Sequence, residues 1–137
     1  MAAIPAGIAE VDSAWLSEAT GLTITGVEHE IIGVGIGVSS AVYRLRLAGE
    51  DVPETLVLKL QALDEAAVFT SSVLQLYARE VRFFDELAER VPVRVPRGYG
   101  ADLSEDGSSY YLLMEDMGGH RVIDQNEGMS LEDAERA

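Results

Sequence analysis

The chain has no cysteine and only one lysine in 137 residues. Without cysteine there can be no disulfide and no thiolate metal site. Basic residues are scarce: 10 Lys and Arg stand against 24 Asp and Glu, a formal net charge of −14. A chain this acidic repels nucleic acid and anionic membrane surfaces at long range, so neither is expected as a partner. No apolar run approaches the ~18 residues that a membrane-crossing helix needs. The opening MAAIPAGIAE has neither the basic start nor the long apolar stretch of a secretory signal, so a cytoplasmic location is expected. No repeat or low-complexity segment is visible. What the chain does have is 47% hydrophobic residues. Its length suits one domain that buries about two-thirds of its unfolded surface.

DSAWLSEATG reads as a short N-terminal helix, capped by Asp12 or Ser13 and stopped by Gly21. Three antiparallel strands follow, over Ile24–Ile32, Val38–Leu47 and Thr55–Gln61. Residues 64–90 carry Leu74, Tyr77, Val81, Phe84 and Ala88 at helical spacing, which predicts one long helix ended by Pro92 and Pro96. Two more strands join around Asp106-Gly107. The expected class is α+β: a five-stranded antiparallel sheet crossed by one long helix, plus the short N-terminal helix. Ser130 with Asp133 forms a capping-box pattern, and LEDAERA begins a helix that would be too short to stand alone. The sequence therefore reads as cut off.

The lone lysine, Lys59, sits inside the apolar run TLVLKLQ. Alternation places Val57, Lys59 and Gln61 on one face of that strand and Leu56, Leu58 and Leu60 on the other. A dry, unpaired ammonium there would cost several kcal/mol, so it needs an anion. Otherwise the strand lies at an edge and the lysine reaches water. Glu80 offers the anion. Its helical neighbours Leu76, Tyr77, Phe83 and Phe84 are all apolar, which turns it toward the core unless it lies at the border of the stripe. The glycine run IGVGIGVSSAVY is followed by a strand rather than a helix, and it carries no lysine. It is therefore neither a dinucleotide fingerprint nor a P-loop. Read from Gly35 it is G-x-G-x-x-S-x-V, either a loop whose amides can cover a phosphate or an ordinary glycine-rich hairpin.

In order, the chain offers a glycine loop, V-x-K, a helical glutamate and a strand that ends apolar–acidic. This order resembles the N-terminal lobe of the protein-kinase-like fold. The wording GVGIGVSSAVYRLRL, LVLKL, YAREVRFFDELAERVPVRVPRGYGAD and YYLLMEDM is most similar to the aminoglycoside phosphotransferase, choline-kinase-like and ecdysteroid-kinase-like group, over residues 13–137. The resemblance implies that residues 1–117 are a nucleotide-binding lobe and 118–137 a hinge and interlobe linker. It implies ATP, with Mg2+, as cofactor. Gly35, Gly37, Ser39 and Ser40 would cover the phosphates, and Lys59 would contact the α- and β-phosphates with Glu80 holding it. Val34, Val42 and Val57 would wall the adenine, Met114 would stand as gatekeeper, and the backbone of Glu115 and Met117 would meet the adenine edge.

The family's catalytic half has no counterpart here. His29 and His120 are the only histidines, and neither opens an H-x-D. Asp124 in HRVID is displaced from such a motif, and the D-Q-x-x-G stretch Asp124, Gln125, Gly128 is assigned no chemistry. No catalytic or metal-binding residue is therefore expected. The chain reads as the ATP-binding part of a phosphotransferase acting on a small-molecule hydroxyl, inactive alone, whose partner is a missing C-lobe or a second copy on its exposed lower face. The alternatives are a stand-alone nucleotide- or partner-binding domain and an unrelated structural domain.

Overall fold

The computed structural model describes residues 2–33, 39–124 and 126–136. The strands are β1 (Ile24–Ile32), β2 (Ser40–Gly49), β3 (Thr55–Gln61), β4 (Gly98–Leu103) and β5 (Tyr110–Glu115). They form one antiparallel sheet in the order β1-β2-β3-β5-β4. The α+β class and the five strands are as the alternation predicts, except that β2 runs on to Gly49 past the expected end at Leu47, and its expected start at Val38 lies outside the described residues. TLVLKLQ is the middle strand, which removes the edge-strand account of Lys59.

Helix α1 (Ser13–Thr20) starts where Asp12 Oδ1 accepts from the Trp15 amide at 2.8 Å. It ends at Gly21, whose φ of +73° is the left-handed closure that glycine favours. With the segment before it, α1 covers one face of the sheet. Leu16 and Val11 pack there on Ala41, Tyr43 and Leu45 of β2, Leu56, Leu58 and Leu60 of β3, and Tyr111 and Leu113 of β5. Trp15 meets Tyr111 edge-on at 5.0 Å and donates its indole N–H to Ala3 O. A side chain at Gly100 on β4 would start 2.6 Å from the Ala19 carbonyl, so only glycine lets α1 approach this closely. Each fully buried leucine contributes about 2 kcal/mol to this core.

The expected long helix is instead divided. Helix α2 (Glu65–Val73) stops at Leu74, Gln75 takes a left-handed φ of 55°, and helix α3 (Leu76–Arg82) runs into a π turn at Phe83–Leu87. Residues 74–75 hold no glycine or proline, so the sequence carries no breaker signal there. The reason is tertiary. Ser71 on α2 and Tyr77 on α3 both donate to the carbonyl of Ser39, at 3.5 and 2.6 Å. Residues six apart on one straight helix point about 120° away from each other, so the break lets both reach one acceptor. Leu74 ends up exposed rather than in the stripe.

Helix α3 lies on the second face of the sheet. Tyr77 and Val81, with Phe84 beside them, pack on Tyr110, Leu112 and Met114 of β5 and on Ala101 and Leu103 of β4. A last helix, α4 (Leu131–Arg136), is capped through the Asp133 amide, which donates to Ser130 Oγ at 3.1 Å. Among the described residues no helix is long and apolar enough to cross a membrane.

Candidate functional site

The site is written in the register of the sheet. β2 sets Val42 opposite Lys59 and Arg44 opposite Val57. β5 sets Met114 opposite Val57 and Leu112 opposite Lys59. Residues directly opposite in an antiparallel ladder share a face. Val42, Arg44, Val57, Lys59 and Met114 therefore all lie on the second face, and α3 runs alongside.

Lys59 Nζ donates to Glu80 Oε1, joining the middle strand to α3. The two anomalies of the sequence are thus one ion pair. It is wetter than the sequence suggests, because the Lys59 side chain is 19% exposed and that of Glu80 35%. Glu80 stands at the border of the helix stripe, where water screens the pair. A pair so placed contributes on the order of 1 kcal/mol to stability, and its burial alone does not explain it.

The other carboxylate oxygen of Glu80 is also engaged. The Tyr110 hydroxyl donates to Glu80 Oε2 at 3.0 Å and lies 2.7 Å from Ser40 Oγ. A phenol has one proton, so with it on Glu80 the serine hydroxyl donates to Tyr110. Burial, reinforced by the Glu80 charge, drives the Tyr110 pKa far up and keeps that proton in place. Tyr77 stacks on Tyr110 with ring centroids 4.3 Å apart. Its hydroxyl donates to Ser39 O at 2.6 Å and accepts from the Ala62 amide at 3.1 Å. Ser40 is thus tied through Tyr110 to the residue that holds the lysine, while Tyr77, stacked on Tyr110, anchors the Ser39 carbonyl. Gly35 and Gly37, with Val34, lie outside the described residues. Ser39 and Ser40 lie inside them, with the Ser39 carbonyl and the Ser40 hydroxyl turned toward the tyrosines.

Met114 is half-buried against the Tyr77–Leu112 cluster at the end of β5. The Glu115 amide donates to Arg97 O at 2.8 Å, so that N–H is already used in the sheet. Its carboxylate turns away toward β4. Arg94 donates to it at 2.7 and 3.0 Å and the Arg97 amide at 3.0 Å, and Arg94 chiefly pulls its pKa down to about 2. Met117 O accepts from the His120 amide at 2.9 Å, which closes a turn and places His120 just after the fifth strand. Among the described residues no group of three His, Asp or Glu side chains gathers as a metal site.

Tyr77, Tyr110 and Arg44 were not singled out by sequence. Tyr110 could have been found by alternation, since it shares a face with Leu112 and Met114, opposite Lys59. Tyr77 counted only as part of the apolar stripe, where its hydroxyl gave no signal.

A family model described as the phosphotransferase enzyme family (APH) matches residues 30–137. The match spans most of the chain and takes in every strand except the start of β1. The chain belongs to this family, and its five-stranded sheet with α3 is that of a kinase-like N-lobe. No curated protein matches it.

Proposed function

We propose that this chain is the ATP-binding lobe of a phosphotransferase that moves the γ-phosphate of ATP to a hydroxyl of a small molecule. The observation that carries the reading is the Lys59–Glu80 pair, in which the chain's single lysine is drawn to a helical carboxylate on the face that also bears Val42, Val57 and Met114. The residues fit a nucleoside triphosphate. A partly exposed ammonium held in place by a carboxylate can meet polyphosphate without moving, and the valines and Met114 offer an apolar wall to a base. In this reading Lys59 contacts the α- and β-phosphates, Glu80 aims it, and Tyr110 fixes Glu80. Gly35, Gly37, Ser39 and Ser40 cover the phosphates, while the Glu115 carbonyl and Met117 amide meet the adenine edge. Magnesium would arrive with the nucleotide and neutralise phosphate charge.

Residues that orient an acceptor hydroxyl do not occur in these 137 residues, which contain no H-x-D, so this chain alone is expected to transfer no phosphate. Residues 118–137 then serve as hinge and linker, and a C-lobe supplies the rest. A cytoplasmic location, where ATP is available, goes with this activity. Titration calorimetry with MgATP tests the reading: the chain binds, Lys59→Ala abolishes binding and Lys59→Arg keeps part of it. Equal binding by chain and Lys59→Ala would sink it.

A second reading, a partner-binding domain, is favoured by the apolar residues Leu63, Phe69 and Val73 on and just before α2, each well over half exposed. It requires a dimer or heteromer by light scattering and no effect of nucleotide on melting.

A further inference from the structure

Asp116 follows the strand end where the proposed adenine contacts lie, and its side chain is only 9% exposed. It turns under the sheet to Arg44. Nε of Arg44 donates to Asp116 Oδ2 at 2.6 Å and Nη2 donates to Oδ1 at 3.3 Å, a two-point contact. The same Oδ1 accepts the Gly118 amide at 2.8 Å. On the far side of Arg44, Glu30 of β1 stands 3.6 Å from Nη1. Gly118 fits so closely that a Cβ there would lie 2.6 Å from Arg44 Nη2 and 2.9 Å from Asp116 Oδ1. Arg44 shares the sheet face of Val42 and sits opposite Val57, so it lies beside the proposed adenine wall rather than on the phosphate side. The preceding residue, Glu115, is tied outward to Arg94 and Arg97. The chain is therefore gripped from opposite sides at Glu115 and Asp116, and Met117 is the next residue along.

We propose that Arg44 is a positioning residue for base recognition: by latching Asp116 and Gly118 to β2 it sets the backbone at Met117 for the purine edge. This rests on the ATP reading. Arg44 pairs with Val57, two residues from Lys59 along the strand, so on this reading it sets the base-dependent part of affinity and leaves the polyphosphate part alone. A lysine in its place supplies one charge but not the two-point fork, and keeps only part of the effect.

The test has two arms. The first, hydrogen exchange at the amides of residues 116–118, needs no ligand, and Arg44→Met is expected to speed it. The second compares magnesium-loaded ATP with magnesium tripolyphosphate, which has no base. Arg44→Met is expected to weaken ATP about tenfold, as for a hinge correctly set only about a tenth of the time, and to leave tripolyphosphate unchanged. Arg44→Lys falls between. Gly118→Ala leaves the β2 sequence intact, presses its Cβ on the Arg44–Asp116 contact and should give the same pattern in weaker form. Unchanged exchange in both variants overturns the latch. Equal weakening of ATP and tripolyphosphate overturns its base selectivity. A wild-type chain that binds neither ligand sinks the ATP reading instead, while the exchange arm still decides whether Arg44 holds the hinge.

Discussion

The two faces of β3 differ in what they ask of their residues. Leu56, Leu58 and Leu60 are almost wholly excluded from water beneath α1 and the N-terminal segment. Val57 and Lys59, one residue out of step, lie on a face bordered by charge: Glu80 on one side, Arg44 and Asp116 on the other. The first face is built for cohesion. The second holds two ion pairs, Lys59–Glu80 partly hydrated and Arg44–Asp116 with its aspartate nearly covered, an arrangement that adds little to stability and suits a charged ligand. A change on the first face should cost folding, and a change on the second should cost binding.

The largest effect is expected from Leu58→Ala. Its side chain is fully buried, so the truncation should lower unfolding free energy by about 3 kcal/mol in a denaturant titration. Lys59→Ala, on the next residue, should change stability by no more than about 1 kcal/mol while removing MgATP binding, which separates the faces most sharply. Tyr110→Phe lies between. It leaves Glu80 Oε2 and Ser40 without their shared hydroxyl and should cost about 1–2 kcal/mol, with weaker binding of ATP and tripolyphosphate alike because the loss falls at the phosphate end.

The smallest effect is a pH dependence to which the rim of the second face contributes, alongside Asp106, which Ser104 and Ser108 hold at about 2 in the β4–β5 turn. Glu115 is held at about 2 against an ordinary 4.5, and the Arg44 hydrogen bonds hold Asp116 below the usual carboxylate range. Both folded values are depressed, so their contribution is complete above the unfolded values and is lost as pH falls through the folded ones. Melting temperature should drop as pH falls from 4.5 toward 2, and Arg94→Met or Arg44→Met should each flatten that drop. An unflattened curve would mean that these pairs do not set the acid limb.

The face assignments of β3 were legible in the sequence because a strand's period of two sorts residues without knowledge of their partners. The pairing of Lys59 with Glu80 was legible for a related reason: each was the wrong chemistry for its own surroundings. The break at Gln75 was not, because its cause is a shared acceptor, Ser39, more than thirty residues away. Nor was the Arg44–Asp116 latch. An arginine in VYRLRL and an aspartate in MEDM are unremarkable locally, and only the sheet order, which brings β2 and the end of β5 to either side of β3, makes them neighbours. Whether Glu80 faced the core or the border of its stripe stayed open, because apolar helical neighbours define a face without saying how far that face is covered.

The most direct test of the two-face account is amide chemical-shift mapping of the isotopically labelled chain with MgATP. The account predicts shifts over residues 39–42, 57–59 and 114–118 and at Glu80, with Leu16 and the rest of α1 unmoved. Shifts centred on α1, or none at ligand concentrations far above those of the assay for Lys59→Ala, would contradict it.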